Sequence, residues 1–222
     1  MSPQTFDAVL FDMDGTLIDS EPLWLISEKE LMAQFDFEWT SEHQAFCLGG
    51  PMPRIGLYMN DLAGNPKDGP YFAQALIDLM AEKLSQGAPL MPGALQLLDE
   101  VTRQQIHFAL VSASPRVLVD GVLRNLASHH FDVSISSDDV TRTKPDPEGY
   151  LKAASLLNVD IKRCLILEDS ETGTQAAMAS GACVVAIPHI VPIAESERVR
   201  TVASLEQLTE LKLHELYTEW FH

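Results

Sequence analysis

The sequence predicts an α/β fold, a doubly wound parallel sheet with a helical domain inserted after its first strand. Three observations predict it. Short apolar runs end abruptly in polar or charged residues. From Pro92 onward these runs alternate with segments of helical periodicity, the rhythm of a parallel sheet. Residues 20–88 break that rhythm, because they read as helical and strand-free. The expected core is therefore residues 1–19 and 89–222, and the expected insertion is residues 20–88. With 46% hydrophobic and 21% charged residues among 222, the chain can bury a full core.

The first run, Ala8 to Phe11, ends in Asp12 and Asp14 and breaks at Gly15. Pro22 suits the first residue of a helix that continues from Leu23 to Phe35. Residues 47–56 (CLGGPMPRIG) read as a loop, rich in Gly and Pro. A second helix is expected over Ile55 to Leu62, broken by GNPKDGP, and a third over Tyr71 to Leu84, where Phe72, Leu76, Leu79 and Met80 share a face.

In the second half, Ala94, Leu97, Leu98 and Val101 form a helical stripe before the run at 107–111 (HFALV). Ser114 reads as an N-cap and Pro115 as the first residue of the next helix, followed by a weaker strand at 133–136. Asp146 and Pro147 open a helix reaching Leu157. The run at 164–167 (CLIL) ends in Glu168 and Asp169. A helix of small residues (174–179) stops at Gly181, a C-cap, and 184–187 (VVAI) is the last clear strand. Five strands are expected in all.

Composition excludes some functions. A net charge of −17, from 32 acids and 15 bases, argues against nonspecific nucleic-acid binding, which needs a basic footprint. No apolar run approaches the ~18 residues of a membrane span, and no signal-peptide pattern opens the chain. Cys47, Cys164 and Cys183 are odd in number and far apart, the pattern of buried thiols. A cytoplasmic monomer is the expectation. The seven histidines show no metal-ligand spacing.

Three strands end in reactive groups: Asp12 and Asp14, then Ser112, then Glu168 and Asp169. In a parallel sheet all carboxyl ends lie on one edge, so these groups converge despite their distance in sequence. Two unit charges 4 Å apart repel by about 4 kcal/mol at an effective dielectric of 20. Four clustered carboxylates therefore call for cations or for protonation of some of the acids, and oxygen ligands without His or Cys favour Mg²⁺ over zinc. Lys144 supplies a fixed positive charge. A carboxylate nucleophile, a second carboxylic acid, a divalent cation and a lysine are the parts of phosphoryl transfer. Ser112, its neighbouring backbone N–H groups and the helix start after Ser114 suit phosphate oxygens.

These residues resemble the haloacid dehalogenase superfamily of phosphohydrolases, in the branch with a helical cap after the first strand. The motifs occur in order along the whole chain: Asp12-Met13-Asp14-Gly15-Thr16, then Ser112, then Lys144-Pro145, then Glu168-Asp169 with Gly173 following. The stretch LIDSEPLW (17–24) and Ser112-Ala113-Ser114-Pro115 resemble bacterial hexitol and 2-deoxyglucose-6-phosphate phosphatases, with β-phosphoglucomutase more distant.

The resemblance implies a role for each matching residue. Asp12 is the nucleophile that forms an aspartyl-phosphate, and Asp14 is the acid and base. Mg²⁺ is held by the Asp12 carboxylate, the Asp14 carbonyl oxygen and Asp169, with Glu168 supporting the shell. Ser112, Ala113 and Lys144 bind the phosphoryl group, and the cap covers the site and selects a small phosphorylated metabolite, a sugar or sugar-alcohol phosphate.

Departures also matter. Relatives place an Arg soon after a Gly in the cap loop, whereas here Arg54 is displaced beyond Gly49, Gly50 and two prolines and reads as a surface residue. The mutase's cap His corresponds to Trp24 and its cap Lys falls near Leu79, differences that favour hydrolysis. Glu21 and Trp24 stay open between a structural role and a wall for substrate. Two rivals accompany the phosphatase: a β-phosphoglucomutase-like isomerase and a non-catalytic phosphometabolite sensor, the latter disfavoured because Asp14 and Lys144 are both present. Dehalogenation itself is not expected, since the second acid and the metal ligands belong to the phosphotransfer branch.

Overall fold

The computed structural model describes residues 5–47, 50–126, 130–188 and 192–222. The chain divides into two compact units, Met1–Asp19 with Pro89–His222, and Ser20–Ala88.

In the first unit, the described residues form one parallel sheet of six strands: β1 (Ala8–Phe11), β2 (His107–Val111), β3 (Val133–Ile135), β4 (Cys164–Glu168), β5 (Cys183–Ala186) and β6 (Val199–Thr201), in the order β3-β2-β1-β4-β5-β6. β1, β4 and β5 are buried at every position, as strands covered on both faces must be. Ala8, Leu10, Cys164, Ile166, Val184 and Ala186 pack on one face with Tyr150, Ala153, Ala154, Ala176 and Ala177. Those partners lie on the helices Glu148–Leu157 and Glu171–Ser180. The small residues of the second helix let it approach the sheet closely. The helices Ala94–Arg103, Arg116–Asn125 and Glu210–Phe221 complete the unit.

The second unit holds Glu21–Ala33, Ser41–Cys47, Met52–Leu62 and Gly69–Ser85, with no strand among its described residues. Leu31, Met32, Trp39, Ile55, Met59, Phe72 and Leu76 form its core. Trp24 is half-buried against that core. Within it Glu28 is 3% exposed and accepts a hydrogen bond from the Trp39 indole, Nε1 to Oε2, at 2.9 Å. Burial outweighs that bond and, with the nearby Glu21 charge, raises the Glu28 carboxyl pKa to about 7.

Several elements differ from the sequence reading. The sixth strand, Val-Arg-Thr, is three residues long, too short to show a period, and forms only because β5 offers it an edge. Ser41–Cys47 lacks an apolar stripe and buries only Cys47. The C-terminal helix buries Leu213, Leu216 and Tyr217, an i, i+3, i+4 signal that periodicity could have found. The loop expected over 47–56 is shorter, since a helix already starts at Met52; Leu48 and Gly49 lie outside the described residues. The opening helix of the second unit begins at Glu21 with Ser20 as its N-cap and ends at Ala33. The three cysteines are free and buried. No helix among the described residues is long and apolar enough to cross a membrane.

Candidate active site

Register builds the site. Phe11 pairs with Leu167 of β4, so the next residues, Asp12 and Glu168, finish level with each other. The Asp12 N–H donates to the Leu167 carbonyl at 3.0 Å, extending the ladder by one bond. Side chains alternate across a strand. Asp12 and Glu168 thus continue the rows of Leu10 and Ile166, toward the helix that carries Tyr150. From β1 the chain runs outward to β2 and β3 and then returns to β4 on the other side. This is the topological switch point, where open α/β sheets place their ligands.

There Asp12, Glu168 and Asp169 each bring a carboxylate oxygen within 4.8 Å of one another. Lys144 reaches them from the loop before Glu148–Leu157: Nζ donates to Asp12 Oδ1 at 2.5 Å and to Glu168 Oε1 at 2.6 Å, and its side chain is only 10% exposed. Glu168 is wholly buried and also accepts from the Tyr150 hydroxyl at 2.5 Å and the Ser170 hydroxyl at 3.2 Å.

Three carboxylates against one ammonium leave the pocket with excess negative charge. Burial, then the Glu168 carboxylate, raise the Asp12 pKa well above its ordinary value, against the pull of Lys144. Burial works against the Lys144 charge, but Asp12 and Glu168 outweigh it and hold the ammonium well above the usual lysine range. Burial and Glu168 push the Tyr150 phenol up as well, so it remains a donor. A divalent cation would relieve what one lysine does not.

The backbone keeps room for these groups. Gly15 sits at φ +82°, and a methyl there would collide with the Asp169 carboxylate. A methyl on Gly173 would collide with the Glu168 carboxylate. Only glycine suits either place. Two glycines cleared for two acids, with an oxygen-only donor set, fit a hard cation such as Mg²⁺.

The Asp14 carboxylate stands outside the three-acid cluster. Its Oδ2 accepts from the Ser114 hydroxyl at 2.7 Å. Ser114 was expected to cap the helix; Pro115 takes that position with no side-chain cap, and the serine reaches Asp14 instead. Ser112 is buried, and its Oγ accepts the Ser114 N–H at 2.9 Å, closing a tight turn at the end of β2. Ser112, Ala113 and Lys144 line one cavity of ≈10 Å³ with Tyr150. That holds about one water and is too small for phosphate.

The structure thus brings together Asp12, Glu168, Asp169 and Lys144, and sets Asp14 beside Ser114. Ser114 and Tyr150, neither of which the sequence pattern marks as a neighbour of the acids, each donate a hydrogen bond to one of them. In the second unit Glu21 is exposed. The Arg54 guanidinium donates to the Phe46 carbonyl at 3.0 Å and lies 5.0 Å from the Phe46 ring centre, which keeps it engaged with its own unit.

Residues 9–187 match the family model described as haloacid dehalogenase-like hydrolase. Hexitol phosphatase B of Escherichia coli K12 is 31% identical over 221 residues, covering 97% of this chain and 98% of its own. A phosphorylated carbohydrates phosphatase of Thermotoga maritima is 31% identical over 177 residues, covering 79% of this chain and 82% of its own. Among solved structures, CbbY of Rhodobacter sphaeroides in complex with phosphate superposes with a TM-score of 0.79 at 26% identity, covering 95% of this chain and 99% of that one. The motif residues, the strand order and the match over most of its length agree: the chain belongs to the haloacid dehalogenase-like hydrolase family.

Proposed function

We propose that this protein is a Mg²⁺-dependent phosphatase acting on a small phosphorylated metabolite, a sugar or sugar-alcohol phosphate. The observation that carries the reading is the cluster of buried Asp12 and Glu168 with half-buried Asp169 at the switch point, Lys144 bridging Asp12 and Glu168. The relatives named for phosphorylated carbohydrates and hexitols support the substrate class.

The chemistry follows from the residues. The Asp12 carboxylate attacks phosphorus, the bond to the leaving oxygen breaks, and Asp14 gives that oxygen its proton. Water then attacks the aspartyl-phosphate, Asp14 takes the water's proton, and inorganic phosphate leaves with Asp12 restored. Ser114 holds the Asp14 carboxylate clear of the acid cluster, where it can exchange a proton without joining the metal shell. Lys144 uses two of its three protons on Asp12 and Glu168, which leaves a third for a phosphoryl oxygen. Ser112 and the Ala113 N–H suit the other phosphoryl oxygens. Asp12, Asp169, the Asp14 carbonyl oxygen and Glu168 would hold Mg²⁺, which would supply positive charge against the transferring phosphoryl group.

The test is a panel of phosphorylated sugars, polyols and nucleotides, assayed for free phosphate with Mg²⁺ and with EDTA, on wild type and Asp12→Asn. Mg²⁺-dependent release from sugar or polyol esters that vanishes in Asp12→Asn is the expected result. No release from the whole panel overturns the reading. Conversion of β-glucose 1-phosphate to glucose 6-phosphate without free phosphate replaces it with an isomerase.

A further inference from the structure

Tyr150 is 1% exposed and belongs to the apolar wall formed with Ala109, Val111, Ile135 and Ile166. A phenylalanine would fill that wall equally well. The hydroxyl, however, leaves it and donates to Glu168 Oε1 at 2.5 Å, the same oxygen that accepts from Lys144 Nζ at 2.6 Å. The ring of the same tyrosine lies with its centre 5.0 Å from Nζ. One side chain therefore meets both members of the Lys144–Glu168 pair, from two directions.

We propose that Tyr150 is a positioning residue of the phosphatase site. Its hydroxyl shares Glu168 Oε1 with Lys144, fixes that carboxylate for the cation, and keeps Lys144 from being drawn wholly onto Glu168. The inference rests on the reading of Asp12, Glu168 and Asp169 as the carboxylates that serve Mg²⁺. An oxygen of a carboxylate has two lone pairs and accepts both donors at once. Without the phenol, Oε1 has the ammonium as its remaining donor. Lys144 then moves toward Glu168 and away from Asp12 and the phosphoryl oxygens, and the Glu168 carboxylate loses its fixed orientation. Both metal and ester should be held more weakly, while the groups that react are untouched.

Tyr150→Phe tests this, because it removes the hydroxyl and keeps the ring beside Lys144. Groups that orient a metal's ligands typically change metal affinity by 10- to 100-fold. We expect Mg²⁺ binding by calorimetry, without substrate, to weaken about 10-fold. KM for the best ester should rise several-fold, with kcat at saturating Mg²⁺ within about three-fold of wild type and the unfolding midpoint in EDTA little changed. A second measurement uses the intact protein: with 3-fluorotyrosine at its four tyrosines, the ¹⁹F resonance missing from Tyr150→Phe should shift on adding Mg²⁺. Unchanged Mg²⁺ affinity in the variant, or a Tyr150 resonance indifferent to Mg²⁺, overturns the inference if wild type binds Mg²⁺ and Asp12→Asn is inactive. Wild type that neither binds Mg²⁺ nor releases phosphate overturns the functional reading itself, and the inference with it.

Discussion

Two glutamates, one in each unit, are almost fully removed from water. Glu168 is 0% exposed and Glu28 is 3% exposed. Glu168 accepts from a lysine, a phenol and a serine hydroxyl, and two further acids stand beside it. Glu28 accepts from a neutral indole N–H within an apolar core, and its pKa rises to about 7. Burial opposes charge in both places. What differs is the partner. At Glu168 an ammonium, a phenol and a serine hydroxyl converge beside two further acids, whereas at Glu28 an indole leaves a carboxyl that is about half protonated near neutrality. The first arrangement is suited to chemistry, the second to packing.

The largest effect that would break this contrast is at Asp12. Asp12→Asn keeps the shape but removes the proposed nucleophile, and should lower kcat by about 10⁴-fold or more, read as free phosphate. If activity survives, the charged cluster is not the reacting site.

Lys144→Met comes next. It leaves Asp12 and Glu168 buried without their cation, and breaking a buried pair from one side costs about 3–5 kcal/mol. The unfolding midpoint in EDTA should fall by about 6–20 °C, at ~2–4 °C per kcal/mol for a chain of this size. Added Mg²⁺ should recover part of the loss. An unchanged midpoint would mean that the acids are satisfied without the lysine.

Glu28 sharpens the other side of the comparison. Its folded pKa, about 7, lies above the ordinary 4.5, so between those values the native state holds more protons than the unfolded state. Stability from this group is therefore fully present below about pH 4.5 and is lost as pH rises to about 7. Between pH 5.5 and 8 the loss should be about 2 kcal/mol in urea unfolding, from 1.36 kcal/mol per unit. Glu28→Gln should flatten that slope. An equal slope in both proteins would assign the pH dependence elsewhere.

The smallest expected effect belongs to Ser114. Removing its hydroxyl deletes one hydrogen bond to Asp14, worth about 1 kcal/mol. Ser114→Ala should lower kcat roughly five-fold with little change in Mg²⁺ affinity. A large change in Mg²⁺ affinity would place Asp14 closer to the metal than the present geometry has it.

Much of the sheet-bearing unit was legible because its candidate site residues sit at strand ends. An apolar run that stops at Asp12, at Ser112 or at Glu168-Asp169 announces both the strand and its exit, and a parallel sheet gathers all exits on one edge. Residues whose importance lies in direction stayed hidden. Tyr150 keeps the helical spacing of Ala153, Ala154 and Leu157 and reads as core, which its ring is; only the aim of its hydroxyl joins it to Glu168. Ser114 before Pro115 looks like a cap, yet the turn closed by Ser112 directs it to Asp14. The burial of Glu28 depends on which helix face meets Trp39 and its neighbours, which residue spacing alone does not give.

By itself the sequence determined the alternation of strands and helices, the order of the motifs and the chemical kind of each acid and base. Those depend on residue type and local spacing, which the chain carries along its length. The tertiary structure alone decided the level register of β1 and β4, the approach of Lys144 to two acids at once, and the separation of Asp14 from the other three. Each of these joins residues far apart in the chain, where distance and direction are set by packing rather than by spacing.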